Sequence, residues 1–276
     1  MGNMNGIHET AFVTCCYRAF DEALSGDPYA KHWITEEVRH WEAGFKGVTP
    51  SETLAHCLRN RYFLDATRQF LAQHPDGVLV NLGAGFSMYP YVLPPDCRYC
   101  DVDFANVVNL KVVRLNHWRA QGLVPPRDHH FMSANLDLAA DRDRLAKDLE
   151  HWIGGAPTFF LVEGVIFFLQ EASAVPLFRM FADLQKTGDR IGTVSFLPEV
   201  LETDVYQRLL RFLASDLDRN RTDYTNLPTA FFKYLHGYRL LEEVEQCALS
   251  RRYAPAQIVT DGKAVLNEHL YLLERR

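Results

Sequence analysis

Val78–Tyr91 reads VLVNLGAGFSMYPY, and Cys100–Phe104 reads CDVDF. The first stretch is a short apolar run ending in Gly83-Ala84-Gly85, the pattern of a buried parallel strand that turns sharply at its carboxyl end. Glycines at that turn let a ligand come close to the backbone, because no side chain stands in the way. Asp103 follows Gly85 by eighteen positions, at the end of the next apolar run. An acid there can accept hydrogen bonds from both hydroxyls of a ribose. The two stretches together predict an adenosine-type cofactor at the carboxyl ends of a parallel sheet.

The kind of nucleoside follows from what comes after the glycines. A dinucleotide loop needs a third small residue so that a helix can pack close and face a pyrophosphate. Met88 occupies that place, and Pro90, Pro94 and Pro95 prevent a long helix from starting there. A phosphate loop would need Gly-Lys-Ser/Thr, which is missing. A cofactor with a ribose and no phosphate fits, and S-adenosylmethionine is the candidate.

Outward from this centre, strands and helices alternate. Strands are predicted at Val78–Leu82, Arg98–Asp103, His130–Leu136, Phe159–Val162 and Ile191–Phe196. Helices are predicted at Phe104–Gln121, Arg142–Trp152 and Ala172–Lys186, the first two closed by Gly122 and by Gly154-Gly155. Alternation of this kind implies a parallel sheet covered on both faces. Residues 9–73 read as helices, the last opening at Ser51 as N-cap. The expected organisation is one α/β domain over 1–276. It comprises a helical cap (1–75), a Rossmann-like core (76–198), a helical insertion on the substrate side (199–249) and a C-terminal β-hairpin (250–276) turning at Asp261-Gly262.

Composition narrows the partners. The net charge is −6, and the chain has no basic run beyond Arg275-Arg276, which argues against a nucleic-acid or anionic-membrane surface. The most apolar stretch, residues 158–169, is interrupted by Glu163 and Gly164 and falls short of the ~20 residues of a membrane span. The N-terminal MGNMNGIHET lacks a secretory pattern, and Gly6 stands where myristoylation favours Ser or Thr. Cys97 and Cys100 have metal or redox spacing, but no second pair completes a zinc site. Reduced, packed thiols in a cytoplasmic protein are expected, with no metal.

The motifs taken in order resemble the leucine carboxyl methyltransferase family, in its bacterial polyketide carboxyl O-methyltransferase-like branch. Arg18-Ala19 with Asp27-Pro28-Tyr29-Ala30, Arg59-Asn60-Arg61-Tyr62-Phe63, Val80–Gly85, Val102–Val107 with Lys111, and Glu163–Leu169 are similar to its elements, over roughly Arg18 to Leu169. The resemblance implies a class I, S-adenosylmethionine-dependent methyltransferase with a mostly parallel seven-stranded sheet. Departures are Ser87-Met88-Tyr89 after the glycines, Asn135 where an Asp is usual, and Phe168 in place of a Tyr.

By that resemblance, Glu163 meets the amino group of a methionine moiety, the alternative being a buried ion pair to an arginine. Arg59 is favoured over Arg61 to pair a cofactor carboxylate with a bidentate fork, with Arg18 a further candidate. Gly83, Ala84, Gly85, Phe104, Leu136 and Gly164 complete the expected cofactor contacts. Asp103 takes the ribose, or Asp101 does so with Asp103 as a helix N-cap. Asn135 either meets the adenine edge or is a plain turn residue. Lys111 reads as a helix-face charge, and His129 and His130 as solvent-edge residues. The aromatic pairs 159–160, 167–168 and 231–232 read as core. Tyr29, Tyr206 and Tyr224 are the substrate-side candidates.

The expected reaction is methylation of a carboxylate of a small metabolite. An ionised carboxylate needs no base, so no catalytic side chain is assigned and positioning carries the rate. Alternatives are transfer to a hydroxyl, amine, thioether or phosphonate, or to a protein C-terminus, and a cofactor-binding partner without turnover. Oligomeric state is not legible.

Overall fold

The computed structural model describes residues 9–215 and 224–276; the Met-Gly start read above lies outside them. The chain opens with α1 (Glu9–Phe20), α2 (Glu22–Ser25), α3 (Glu36–Phe45) and α4 (Glu52–Gln73). The alternating core follows as β1 (Val78–Leu82), α5 (Tyr89–Val92), β2 (Arg98–Asp103), α6 (Ala105–Ala120), β3 (His129–Ser133), α7 (Ala139–Ile153), β4 (Thr158–Val162), α8 (Glu171–Leu184) and β5 (Arg190–Phe196). The chain then forms α9 (Asp204–Ser215), α10 (Thr229–Lys233), β6 (Tyr238–Glu245), α11 (Gln246–Tyr253) and β7 (Glu268–Arg275).

The seven strands form one sheet in the order β3-β2-β1-β4-β5-β7-β6. The first five run parallel, and β7 lies antiparallel between β5 and β6, so β6 runs in the direction of the first five. Side chains alternate across it. Val78, Val80 and Leu82 of β1 join a core with α7 and α8, while Leu79 joins a second core with α4. Phe63 and Phe70 of α4 are fully buried there, each removing apolar surface worth about 1.5–3 kcal/mol. Strand order reverses between β1 and β4, and that crevice, at the carboxyl ends, is where ligands of such sheets bind.

The structure corrects several expectations. The antiparallel pair that closes the sheet is present, but its first strand is β6, inside the stretch expected to be helical. Asp261-Gly262 lies in the loop after α11 rather than at a hairpin turn. β3 ends at Ser133, three residues early, because the Asn135 side chain accepts from the Asp137 N–H and bends the chain away. Ser51 precedes α4 but makes no side-chain cap hydrogen bond. Only the four-residue α5 follows the glycine turn, as the prolines require.

Lys111 and His129 are not surface groups. The Lys111 ammonium lies 2.6 Å from Asp101 Oδ2, and His129 Nε2 lies 2.9 Å from the same oxygen, all three side chains being at most 2% exposed. Asn81 Nδ2 reaches Asp101 Oδ1 at 3.4 Å and Ser87 Oγ at 2.8 Å, tying this cluster to the glycine turn. Burial works against the Asp101 charge, but Lys111 and His129 overcome it and hold the carboxyl at about 2. Asp101→Ala is expected to destabilise the fold by about 3–5 kcal/mol in urea denaturation, because Lys111 is left buried and unpaired. The folded carboxyl lies below its unfolded value of about 3.9. Its contribution should therefore be complete above that pH and lost as pH falls towards 2, readable as acid-dependent loss of the wild-type advantage over Asp101→Asn.

Candidate active site

A cavity of about 1100 Å³ opens at the carboxyl ends of β1, β2 and β4 and runs under α1, α4 and α9. A second, of about 440 Å³, lies at the opposite ends of the strands beside Asp76, Asp96 and Arg98. The first holds nearly all the residues singled out from sequence: Arg18, Arg59, Gly83, Ala84, Gly85, Asp103, Phe104, Asn135, Leu136, Glu163, Gly164 and Tyr224.

The glycine turn is shaped by its surroundings as well as by its opening. Gly83 and Gly85 both have positive φ, +62° and +46°. A Cβ on Gly83 would lie 2.2 Å from Val165 Cγ2, whereas one on Gly85 would meet nothing closer than Ala11 at 3.8 Å. Gly83 is thus required by packing, and Gly85 leaves open space at the cavity.

Asp103 Oδ2 accepts from the Gly85 N–H and Oδ1 from the Phe104 N–H, both at 2.7 Å. Burial raises its pKa, only partly offset by these two donors. Each oxygen retains lone pairs that two vicinal hydroxyls could use. The structure separates the two acids: Asp103 lines the cavity, while Asp101 is consumed by Lys111 and His129. Phe104 is the residue before α6, so Asp103 is not its N-cap. Asn135 commits its Oδ1 to the local turn, accepting from the Asp137 N–H. Phe104, half exposed, stands beside Asp103.

Glu163 is held by two donors: Arg59 Nε gives to Oε1 at 2.8 Å, and the Tyr89 hydroxyl to Oε2 at 2.7 Å. Arg59 Nη1 also donates to Glu268 Oε1 at 2.6 Å. Burial opposes the Glu163 charge, yet Arg59, Arg18 and the Tyr89 hydroxyl outweigh it and lower its pKa. The ion pair to an arginine is therefore present. It corrects the expectation of a free Arg59 fork, since Nε and Nη1 are already engaged. Arg18 is braced by Asp27 at 3.0 Å and by the Phe86 carbonyl.

Three expected residues lie elsewhere. Arg61 pairs with Asp65 one turn along α4. Tyr29 packs on Tyr91 and His32 away from the cavity. Tyr206 is fully buried and accepts from Asn226. Conversely, Phe167 and Phe168, read as core, line the cavity, and Phe167 stacks on Tyr224 at 4.3 Å. Sequence reading also missed Tyr17, Glu52, His56 and Glu268 on the wall. Glu52, His56 and Arg59 fall at i, i+4 and i+7 of α4, a polar stripe on one helix face that could have been noticed. Glu268 left no local signal.

The leucine carboxyl methyltransferase family model matches residues 11–182. The chain is 24% identical over 213 residues to the tetracenomycin polyketide synthesis O-methyltransferase TcmP of Streptomyces glaucescens, covering 75% of this chain and 73% of that one. It is 24% identical over 200 residues to an inferred S-adenosyl-L-methionine-dependent methyltransferase of Mycobacterium ulcerans, covering 69% and 64%. Its fold is similar to the crystal structure of an inferred methyltransferase from Thermobifida fusca, with TM-score 0.66 and 16% identity, over 96% of this chain and 94% of that one. A DUF574-family protein of Streptomyces avermitilis gives 0.63 and 10%, over 97% of each chain.

The two glycines should respond differently to alanine. Both substitutions meet a positive-φ cost of about 1–2 kcal/mol. Gly83→Ala should lose a further 1–3 kcal/mol or so by overpacking against Val165. Val165→Ala should recover that excess in a double-mutant cycle read by urea denaturation, and should have no such coupling with Gly85→Ala.

Proposed function

The chain belongs to the leucine carboxyl methyltransferase family, and on that premise we propose that this S-adenosylmethionine-dependent methyltransferase esterifies a carboxylate of a small-molecule metabolite. The observation that carries the choice of acceptor is the apolar end of the cavity, where, among the described residues, Phe45, Phe167, Phe196, Leu209 and Leu213 place no imidazole or carboxylate beside an acceptor, and the imidazole on the wall is weak. His56 is the one histidine on the wall among the described residues, and burial together with Arg59 pushes its pKa down to about 3. A base that weak takes few protons from a hydroxyl at neutral pH. A carboxylate needs none taken.

The residues present fit the cofactor. Gly85 leaves room for a ligand at the backbone, Asp103 has lone pairs for a ribose, and Asn135 Nδ2 suits an adenine edge. The anionic Glu163 and Glu268 suit the amino end of the methionine moiety. When bound, the cofactor supplies a methyl group already activated by its sulfonium. The chain then has to bind, aim and keep water out. The Arg59 network fixes one end of the cavity. Phe45, Phe167, Phe196, Leu209, Leu213 and Tyr224 make the other end apolar, a chamber for an enclosed small acceptor. Leu209, Leu213 and Tyr224 come from the 199–249 insertion, which supports its reading as the substrate side.

S-adenosylhomocysteine should bind in calorimetry and lose roughly 10- to 100-fold in affinity in both Asp103→Ala and Glu163→Ala, as expected when a charged hydrogen-bond partner is removed. With methyl-labelled cofactor and a carboxylic-acid panel, the label on the product should be released as methanol by mild alkali. An alkali-stable methyl group would assign the transfer to a hydroxyl, amine or thioether instead.

A further inference from the structure

Resting on the reading of Glu163 as a partner of the cofactor's amino end, we propose that the Tyr89 hydroxyl is a positioning group for cofactor binding: it holds Glu163 as a fixed, anionic acceptor for the ammonium of the methionine moiety.

Tyr89 reaches the ligand only through another residue. Its hydroxyl donates to Glu163 Oε2 at 2.7 Å, while Arg59 Nε donates to Oε1 at 2.8 Å. Tyr89 is 2% exposed and is not part of the cavity lining. Glu163 is part of it, with a side chain 10% exposed. Two donors from two different elements, α4 and α5, fix the plane of the carboxylate. With Arg59 alone, the group could turn about its one remaining bond. A carboxylate has about four lone-pair sites, so one donor on each oxygen leaves capacity for an ammonium.

The segment after the glycines places the phenol. The Ser87 N–H donates to the Ala84 carbonyl at 3.0 Å, the Tyr91 N–H to Met88 at 2.9 Å and the Leu93 N–H to Tyr89 at 3.0 Å, a string of tight turns. The ring belongs to a buried cluster with Leu58 and Tyr62 of α4, the helix that carries Arg59. A phenylalanine would keep that packing and remove only the donor. Tyr89 is also one of the positions at which the chain departs from the pattern of its family.

The donor matters because the guanidinium is divided between two acids. Arg59 Nη1 lies 2.6 Å from Glu268 Oε1, so its charge is not reserved for Glu163. Burial opposes the Glu163 charge, and Arg59, Arg18 and the Tyr89 hydroxyl together outweigh it and lower the pKa. Without the hydroxyl the carboxyl binds a proton more readily, and that proton competes with an ammonium. Affinity is then kept near neutrality, where Glu163 is ionised, and lost as pH falls. The charged and titratable groups around Glu163 are Arg59, Glu52 and His56 on α4, Arg18 on α1 and Glu268 on β7. Tyr89→Phe leaves them all in place, so their titration is common to variant and wild type.

The test is calorimetric titration with S-adenosylhomocysteine and with 5′-methylthioadenosine, which has the nucleoside but no amino or carboxyl group. At pH 7.5, Tyr89→Phe should bind S-adenosylhomocysteine within about threefold of wild type, and at pH 5 about tenfold more weakly. Its affinity for 5′-methylthioadenosine should equal that of wild type at both pH values, which also shows that the variant is folded. Glu163→Gln should weaken S-adenosylhomocysteine at both, and adding Tyr89→Phe to it should cost nothing more. A Tyr89→Phe loss that is the same at both pH values, a parallel loss of 5′-methylthioadenosine, or a further loss in the double variant would overturn the role of Tyr89 while leaving that of Glu163. Wild-type binding by Glu163→Gln would instead remove the reading of Glu163, and the role of Tyr89 with it.

Discussion

Everything at the carboxyl end of the sheet hangs on a carboxylate that has no business being buried alone. Glu163 ends a strand with five buried residues, where an uncompensated charge is costly. Arg59 from α4 and the Tyr89 hydroxyl hold both of its oxygens, and Glu268 from β7 takes a second edge of the guanidinium. One charge cluster therefore ties the helical cap, the glycine-turn segment, the middle of the sheet and its antiparallel extension. Removing any member leaves another buried and unmatched, so the cavity is held in one shape rather than closed by apolar collapse.

A second buried cluster, Asp101 with Lys111 and His129, does for the glycine turn what the first does for the cavity floor. Through Asn81 and Ser87 it reaches the turn from beneath, while Asp103 holds the turn from above by its bond to Gly85. The two acids of one strand are two residues apart and so leave the same face of the sheet, but Asp103 stands at the strand's carboxyl end, beside the cavity. One is spent on structure and the other remains at the cavity.

The sequence was most readable where local rules decide the outcome. The limits of β1 and β2, the lack of a long helix after the glycine turn, and the placing of Gly83, Gly85 and Asp103 all follow from apolar runs and turn chemistry. It was least readable where tertiary partners decide. Lys111 and His129 have the look of surface residues until Asp101 is found beside them. Arg59 and Arg61 differ only in which helix face meets the sheet. β6 reads YRLLEEVE, with an exposed edge and several acids, so its pairing with β7 left little periodic trace. The spacing of Glu52 and His56 on α4 is visible in the sequence, but what the stripe faces depends on the opposite wall.

The bond between Arg59 and Glu268 spans 209 positions of the chain. During synthesis at ordinary speed, ~10–40 s separates the appearance of the two residues. Through that interval α4, β1 and β4 can all exist, yet the guanidinium that must sit among them has one of its two acids missing. The strand bearing Glu268 also inserts between β5 and β6, so it enters the sheet with neighbours on both sides. The ligand chamber is thus finished by a late segment, and a nascent chain shows the strands of this fold before it has a working pocket.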